Sequence, residues 1–543
     1  MPHFAGGPRQ AILRLVTEYN SGKLFFIFIL AVLLSCVAAW LIARRYRAAM
    51  ARLMRASVCA ERPAPDSAAA PRLPLPDPVS LADNQRAGRR LALLLIGLSV
   101  LIVATAASLW WWLAFPGELW PPTRVAAVAL LQLWPVVPAL GLLWRWSRWR
   151  IFGALMLWCV LAFLVLLWRS IEPRPLQLLA AMASEMGFSL VIVAFMTLGS
   201  STRPIAPWLL LPFTGLVGAS FLGMEWLANL AERRAPVLMW MSERADGWTA
   251  AFTVIAAFIL VPGLLAWWPL RWLGRALGRA YSRKWLSELL VVFTAVWSIA
   301  LLDKAMTSAS WAGIRAATML LPLLWIPPVV LLTVRLRGPS GRPPTLLVLR
   351  VFQQDARVQD LFDHVIERWR LSGNIVMIAG TDLATRTLDG EDLFMFLDRR
   401  LPERFVGSPS DVASRLASFD TAPDADGRFR VNECYCHDST WQAVLKALVE
   451  RTDAVLMDLR RFKAHNAGCR FELEELARAA RPLRVTVLVD DETDGAAAEA
   501  CVAGGRTERF TWIDTQRIDA RKRQEVLASL FAASSVAGCE LTS

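Results

Sequence analysis

No glycine-rich dinucleotide fingerprint and no phosphate-binding P-loop follows any candidate strand of this chain, which argues against a standard Rossmann dehydrogenase and against an ATPase. The dense cysteine spacing of a secreted disulfide scaffold is missing too. Of the eight cysteines, Cys36, Cys59 and Cys159 lie in or near apolar runs and five are scattered through the tail, which suits a reducing compartment. Cys434, Cys436, His437, His465 and Cys469 hold enough soft ligands for zinc, but the paired short spacing of a zinc ribbon is absent. On a strand, Cys434 and Cys436 face one way and His437 the other, so a metal-free domain is expected. The first apolar run begins at Leu24 and is followed by "ARRYR" rather than by a small-residue cleavage site, so no cleavable signal peptide is expected. Nor do the apolar runs repeat as the two halves of a transporter would.

Hydrophobic residues dominate instead. They make up 55% of the 543 residues, with 25 tryptophans, and apolar runs long enough to cross a hydrocarbon core of about 30 Å recur from Leu24 to Val334 and then stop. The spans expected are 24–43, 91–115, 124–144, 151–168, 178–199, 205–230, 249–272, 286–303 and 315–334, nine in all. Loop 44–90 carries ten arginines against four acids, whereas "PGELWPPT" (116–123) has one acid and no base, so loop 44–90 faces the cytosol. Alternation then puts "RWSRWR" (145–150), "STRP" (201–204) and "GRALGRAYSRK" (274–284) on the same side, with the N-terminus outside and the tail inside. The expected location is the plasma or bacterial inner membrane, and the lipid bilayer is the expected partner. Basic loops of this kind account for the net charge of +13, and nucleic-acid binding is not expected. Glu185, Glu225, Glu288 and Asp303 lie in or near spans, where an ionisable group is a pointer to function, although all but Glu185 fall close to span ends.

"RLRGPSGRPP" (335–344) reads as a tether between the membrane region 24–334 and a domain over 345–543; residues 1–23 form an N-terminal segment. The domain opens with "TLLVLRVF" (345–352), an apolar strand of the kind buried on both faces of a parallel sheet, then a helix 355–371 and the strand "NIVMIAG" (374–380). Residues 381–438 read as an insertion. Beyond it, strands 453–459, 484–490 and 510–514 alternate with helices 439–451, 468–480, 495–503 and 519–533, which implies a five-stranded parallel sheet of flavodoxin type covered on both faces. Such sheets bind ligands at their carboxyl edge, here Phe352 to Asp355, Thr381 and Asp382, Asp458 to Phe462, and Asp490 and Asp491.

On the helix from 468, Cys469, Leu473, Leu476, Ala477 and Ala480 make one stripe, with Glu472 closer to it than Glu474 or Glu475 and placed in the first turn. A carboxylate beside a crevice is a candidate site residue; an ordinary helix-start glutamate is the alternative. "DAVLMDLRRFKAHNAGCRFELEEL" (453–476) resembles the part of Toll/interleukin-receptor (TIR) domains where a strand ends in a loop and a helix opens with Trp-Cys-x-x-Glu-Leu, matched here by Cys469, Glu472 and Leu473, with Gly468 where tryptophan is usual. The resemblance implies a TIR-like fold over about 200 residues and, from enzymatic members, cleavage of the nicotinamide–ribose bond of NAD with Glu472 as the catalytic carboxylate. Arg460 and Arg461 would then meet the pyrophosphate beside Asp458, or else form a solvated basic loop. NAD would be substrate, no resident cofactor is required, and self-association of the domain is implied. Three functions stay open: a membrane-anchored signalling or effector protein acting as an NAD nucleosidase, a non-enzymatic receptor or scaffold, and a transporter with a regulatory tail.

Overall fold

The computed structural model describes residues 30–53 (except 32), 74–117, 121–169 (except 145), isolated positions from 175 to 216, 247–335, 341–350, 365–379, 395–437 (except 398) and 439–531. The chain divides into two compact units. One comprises residues 1–43, 95–329 and 389–391, the other 44–94, 330–388 and 392–543.

The first unit is helical. Among the described residues, three helices are long and apolar enough to cross a membrane: Leu81–Ala114, Trp149–Trp168 and Arg315–Arg335. Helices Gly247–Ser282 and Glu288–Ala312 follow the expected runs at 249–272 and 286–303, and Glu288 opens its helix. The expected span 124–144 is instead two helices, Pro122–Gln132 and Val136–Leu143, parted by a turn at Pro135, which has no amide to continue the ladder. Expected span 315–334 starts as a 3₁₀ helix, Gly313–Trp325, and becomes α-helical at Ile326–Arg335. Spans 178–199 and 205–230, with Glu185 and Glu225, lie outside the described residues apart from isolated positions. Trp134, Ile151, Leu155, Val296 and Ala300 pack into a core, while Phe152, Leu157, Leu161, Leu164 and Trp168 are left exposed on helix Arg148–Arg169.

The second unit is built on a parallel sheet of seven strands rather than five. They are β1 (Thr345–Arg350), β2 (Asn374–Ala379), β3 (Phe405–Val406), β4 (Val431–Cys436), β5 (Ala454–Asp458), β6 (Arg484–Val489) and β7 (Phe510–Asp514), in the order β3-β4-β2-β1-β5-β6-β7. The five anticipated strands keep the flavodoxin order 2-1-3-4-5. The two additional ones, β3 and β4, come from 381–438 and extend the sheet beyond β2. The turn "APDADG" ahead of β4 closes with the Gly427 amide on the Asp424 carbonyl at 2.9 Å and Gly427 at φ 91°, a conformation that favours glycine.

Alternation along the strands sorts the two faces. Leu347, Leu349, Val455, Met457, Val485 and Val487 meet helices α1 (Trp441–Val449), α2 (Ala467–Arg478) and α3 (Gly495–Val502) through Val444, Leu445, Leu448, Leu473, Leu476, Ala498 and Val502. The opposite face, with Leu346, Val348, Leu456 and Leu488, lies towards helix α4 (Ala520–Phe531), where the Thr486 and Ser529 hydroxyls meet at 2.9 Å. Helices thus cover both faces, as buried parallel strands require.

Part of the arginine-rich loop belongs to this unit. Asn84, 1% exposed, donates from Nδ2 to the Arg368 carbonyl and to Ser372 Oγ, both at 2.7 Å. The Asp77 amide donates to the Arg342 carbonyl, and the Tyr46 hydroxyl lies 3.4 Å from that of Tyr435. At the amino edge, buried Asp453 accepts from Arg342, from Arg481 and from the Thr345 amide. Segment Pro76–Ser80 lines a cavity of about 140 Å³ there, with Trp369, Asp453, Arg484 and Phe531.

Candidate functional site

The strand order reverses between β1 and β5, the position at whose carboxyl edge doubly wound sheets take ligands. Two charged residues end these strands side by side, since Arg350 is in register with Asp458. Asp458 terminates an otherwise apolar strand and is met at once by Arg460. The guanidinium donates from Nε to Oδ1 at 2.8 Å and from Nη2 to Oδ2 at 2.6 Å, and Nη1 reaches the Gln516 carbonyl at 3.3 Å. Both side chains are buried. Arg460 is therefore neither a solvated loop cation nor a fork turned outward to phosphate.

Arg461 follows at φ 65°, and this left-handed residue turns the chain away from the strand. Its amide donates to Asp490 Oδ1 at 2.9 Å, and Thr493 Oγ1 donates to the same oxygen at 2.8 Å. The Arg461 side chain is 38% exposed, with Nε 3.2 Å from Glu492 Oε2. It is thus the member of the arginine pair that reaches solvent.

Glu472 sits in the second turn of α2 rather than the first, because the helix starts at Ala467. The spacing argument for its face holds: it is 3% exposed, between Cys469 and Leu476 on the buried stripe, whereas Glu474 and Glu475 are half-buried. Oε2 is buried without a hydrogen-bond partner. Burial pushes the carboxyl up to about 8, so in the resting chain it is mainly protonated at neutral pH. The same burial, followed by the charge of Glu472, pushes the neighbouring Cys469 thiol well above its ordinary value.

Of the four residues singled out in the sequence, the structure joins Asp458 with Arg460 and sets Arg461 beside them on the loop. Glu472 belongs elsewhere. Its helix packs on the face of Leu347 and Met457, while strand alternation gives Asp458 to the face of Val348 and Leu456. Phe352 to Asp355, Thr381 and Asp382 lie outside the described residues.

The "CYCH" stretch also separates as its alternation requires. Cys434 and Cys436 share a face with Sγ atoms 4.0 Å apart, and the His437 ring lies over Phe405 at 5.6 Å between centroids. Among the described residues, no three His, Cys, Asp or Glu side chains converge as a metal-holding group. Trp441 is a packing residue, edge-on to Phe471.

A buried ion network in 420–430 escaped the sequence reading. Arg428 binds Asp426 at 2.9 Å and Arg430 binds Asp424 at 2.8 Å, while Arg370 binds Glu367 at 3.0 Å and donates to the Phe429 carbonyl. Its signal was the spacing of two that puts Asp424 and Asp426 opposite Arg428 and Arg430 across the Gly427 turn. Burial raises the Asp424 carboxyl to about 6 in spite of Arg430.

No family model, no curated protein and no solved structure matches this chain.

Proposed function

We propose that the chain is a multi-span membrane-anchored signalling or effector protein whose cytosolic α/β domain is TIR-like and cleaves the nicotinamide–ribose bond of NAD. The observation that carries the catalytic part is Glu472 Oε2, a buried acceptor without a partner. Such an atom costs free energy that a purely structural helix residue has no reason to impose, and unsatisfied groups of this kind concentrate at functional sites. Bond cleavage builds positive charge on the ribose, which a carboxylate in a low-dielectric site stabilises. Because the resting carboxyl is raised to about 8, its ionisation would be driven by the substrate. The nicotinamide ring of NAD carries a positive charge, and a nearby cation favours the carboxylate.

Two features support the membrane reading. Large apolar side chains stay exposed along helix Arg148–Arg169, as a lipid-facing helix needs. Residues 44–94 also belong to the same compact unit as the sheet, which supports one cytosolic side for loop 44–90 and the tail.

A second reading, an association domain without catalysis, is favoured by the closed Asp458–Arg460 pair, which leaves only Arg461 of the two arginines to contact a diphosphate. The deciding experiment incubates the full chain in lipid vesicles with NAD and measures released nicotinamide. Glu472→Gln should lower turnover about 10²–10³-fold, with Glu474→Gln and Glu475→Gln close to the unsubstituted protein. No nicotinamide from the unsubstituted chain would leave the association reading.

A further inference from the structure

We propose that Cys434 and Cys436 together form a two-sulfur site for a soft monovalent metal ion, copper(I). The two residues stand at i and i+2 on β4, so both side chains leave the same face. The strand is held on either side, with Cys434 in register with Ile378 of β2 and Cys436 with Val406 of β3. The sheet therefore fixes where the two side chains leave the backbone, and the sulfurs lie 4.0 Å apart. Metal–sulfur bonds of about 2.3 Å would span that gap at an angle of about 120°, and small rotations of either side chain open it further.

A disulfide suits the same backbone poorly. Two residues of extended strand separate the Cβ atoms by about 6.5 Å, whereas a disulfide needs about 3.8 Å. Zinc fares no better, since it takes four ligands and strand alternation sends His437 to the other face, where its ring lies tilted beside Phe405. Two thiolates select a soft ion such as copper(I).

Binding converts two thiols and one copper(I) into a bis-thiolate complex of charge −1 and two released protons, with no electron transferred. The hydrogen bond from Cys436 favours the Cys434 thiolate, whereas that same bond and burial hold the Cys436 thiol well above its ordinary value, so the metal must drive off the Cys436 proton. Cys434 is fully buried and Cys436 half-buried, so an ion would enter from the Cys436 side, beside the two-residue strand β3.

The test titrates the full chain, reduced and in detergent under anaerobic conditions, with copper(I) against a chromophoric chelator. The unsubstituted protein should take up one ion more per chain than Cys436→Ser or Cys434→Ser, and X-ray absorption of that ion should show two sulfur neighbours. Circular dichroism checks the fold of each variant. Should Cys434→Ser unfold, Cys436→Ser and Cys436→Ala, at the half-buried position, decide. Equal uptake by the unsubstituted chain and a folded Cys436 variant would overturn the site, and so would displacement of the ion by equimolar zinc.

Discussion

Arg460 and Asp458 close on each other across one intervening residue, Leu459, through two hydrogen bonds of 2.8 and 2.6 Å in a buried setting. Removing one member of a buried pair leaves the other charge uncompensated, typically at a cost of about 3–5 kcal/mol. Arg460→Ala and Asp458→Ala should each destabilise the α/β unit by about that much, read by urea unfolding of the full chain in detergent. The double substitution Asp458→Asn with Arg460→Met should recover part of the loss. A double variant as unstable as the sum of the singles would show that the two residues act separately.

The raised carboxyl of Glu472 makes stability depend on pH in a defined direction. Its folded value, about 8, lies above that of the unfolded chain, so its contribution is fully present below about pH 4.5 and is lost as pH rises from there through 8. Glu472→Gln removes the titration. Its stability relative to the unsubstituted protein should be near zero at pH 4.5, grow through pH 7, and level off above pH 8 at a few kcal/mol in order of magnitude. Melting curves across that range suffice, and a difference that stays constant with pH would mean that the carboxyl is not titrating where burial puts it.

Orientation is tested by labelling. A membrane-impermeant thiol reagent applied to intact cells should fail to modify cysteines introduced as Ala70→Cys or Thr421→Cys, and should modify both after permeabilisation. Modification from outside at either position would reverse the topology inferred from the arginines.

Asn84 ties the loop segment to the unit through two bonds to residues 368 and 372. Asn84→Ala removes both bonds, although the Arg368 carbonyl still accepts from the Leu371 amide, at a cost of about 0.5–1.5 kcal/mol per bond. Hydrogen exchange of the peptide covering 367–373 should accelerate accordingly, with strands β5 and β6 unchanged.

How much the sequence disclosed depended on how far each segment obeys a simple period. β1, β5 and β6 are continuous apolar runs, and their observed limits fall within two residues of those expected. The face of Glu472 followed from the 3.6-residue repeat. β4 shows as a strand in its alternating cysteines, but its buried Asn432 and Glu433 disguise its place in the main sheet, and β3 is hidden because two residues carry no period at all. The partner of Arg460 was equally illegible, since the contact with Asp458 depends on how the chain turns after the strand, where Arg461 takes up a left-handed conformation that composition does not announce.

The unequal ends of the sheet constrain how copies of the unit could join. β3 offers only Phe405 and Val406, too little backbone for a further strand to grip, whereas β7 at the other margin runs for five residues, Phe510–Asp514. Joining through sheet margins would therefore have one usable side per molecule. Like sides can meet only about a two-fold axis, and that contact consumes both. Growth by this route stops at a pair, so any larger cluster of these domains would have to be assembled through helices or loops.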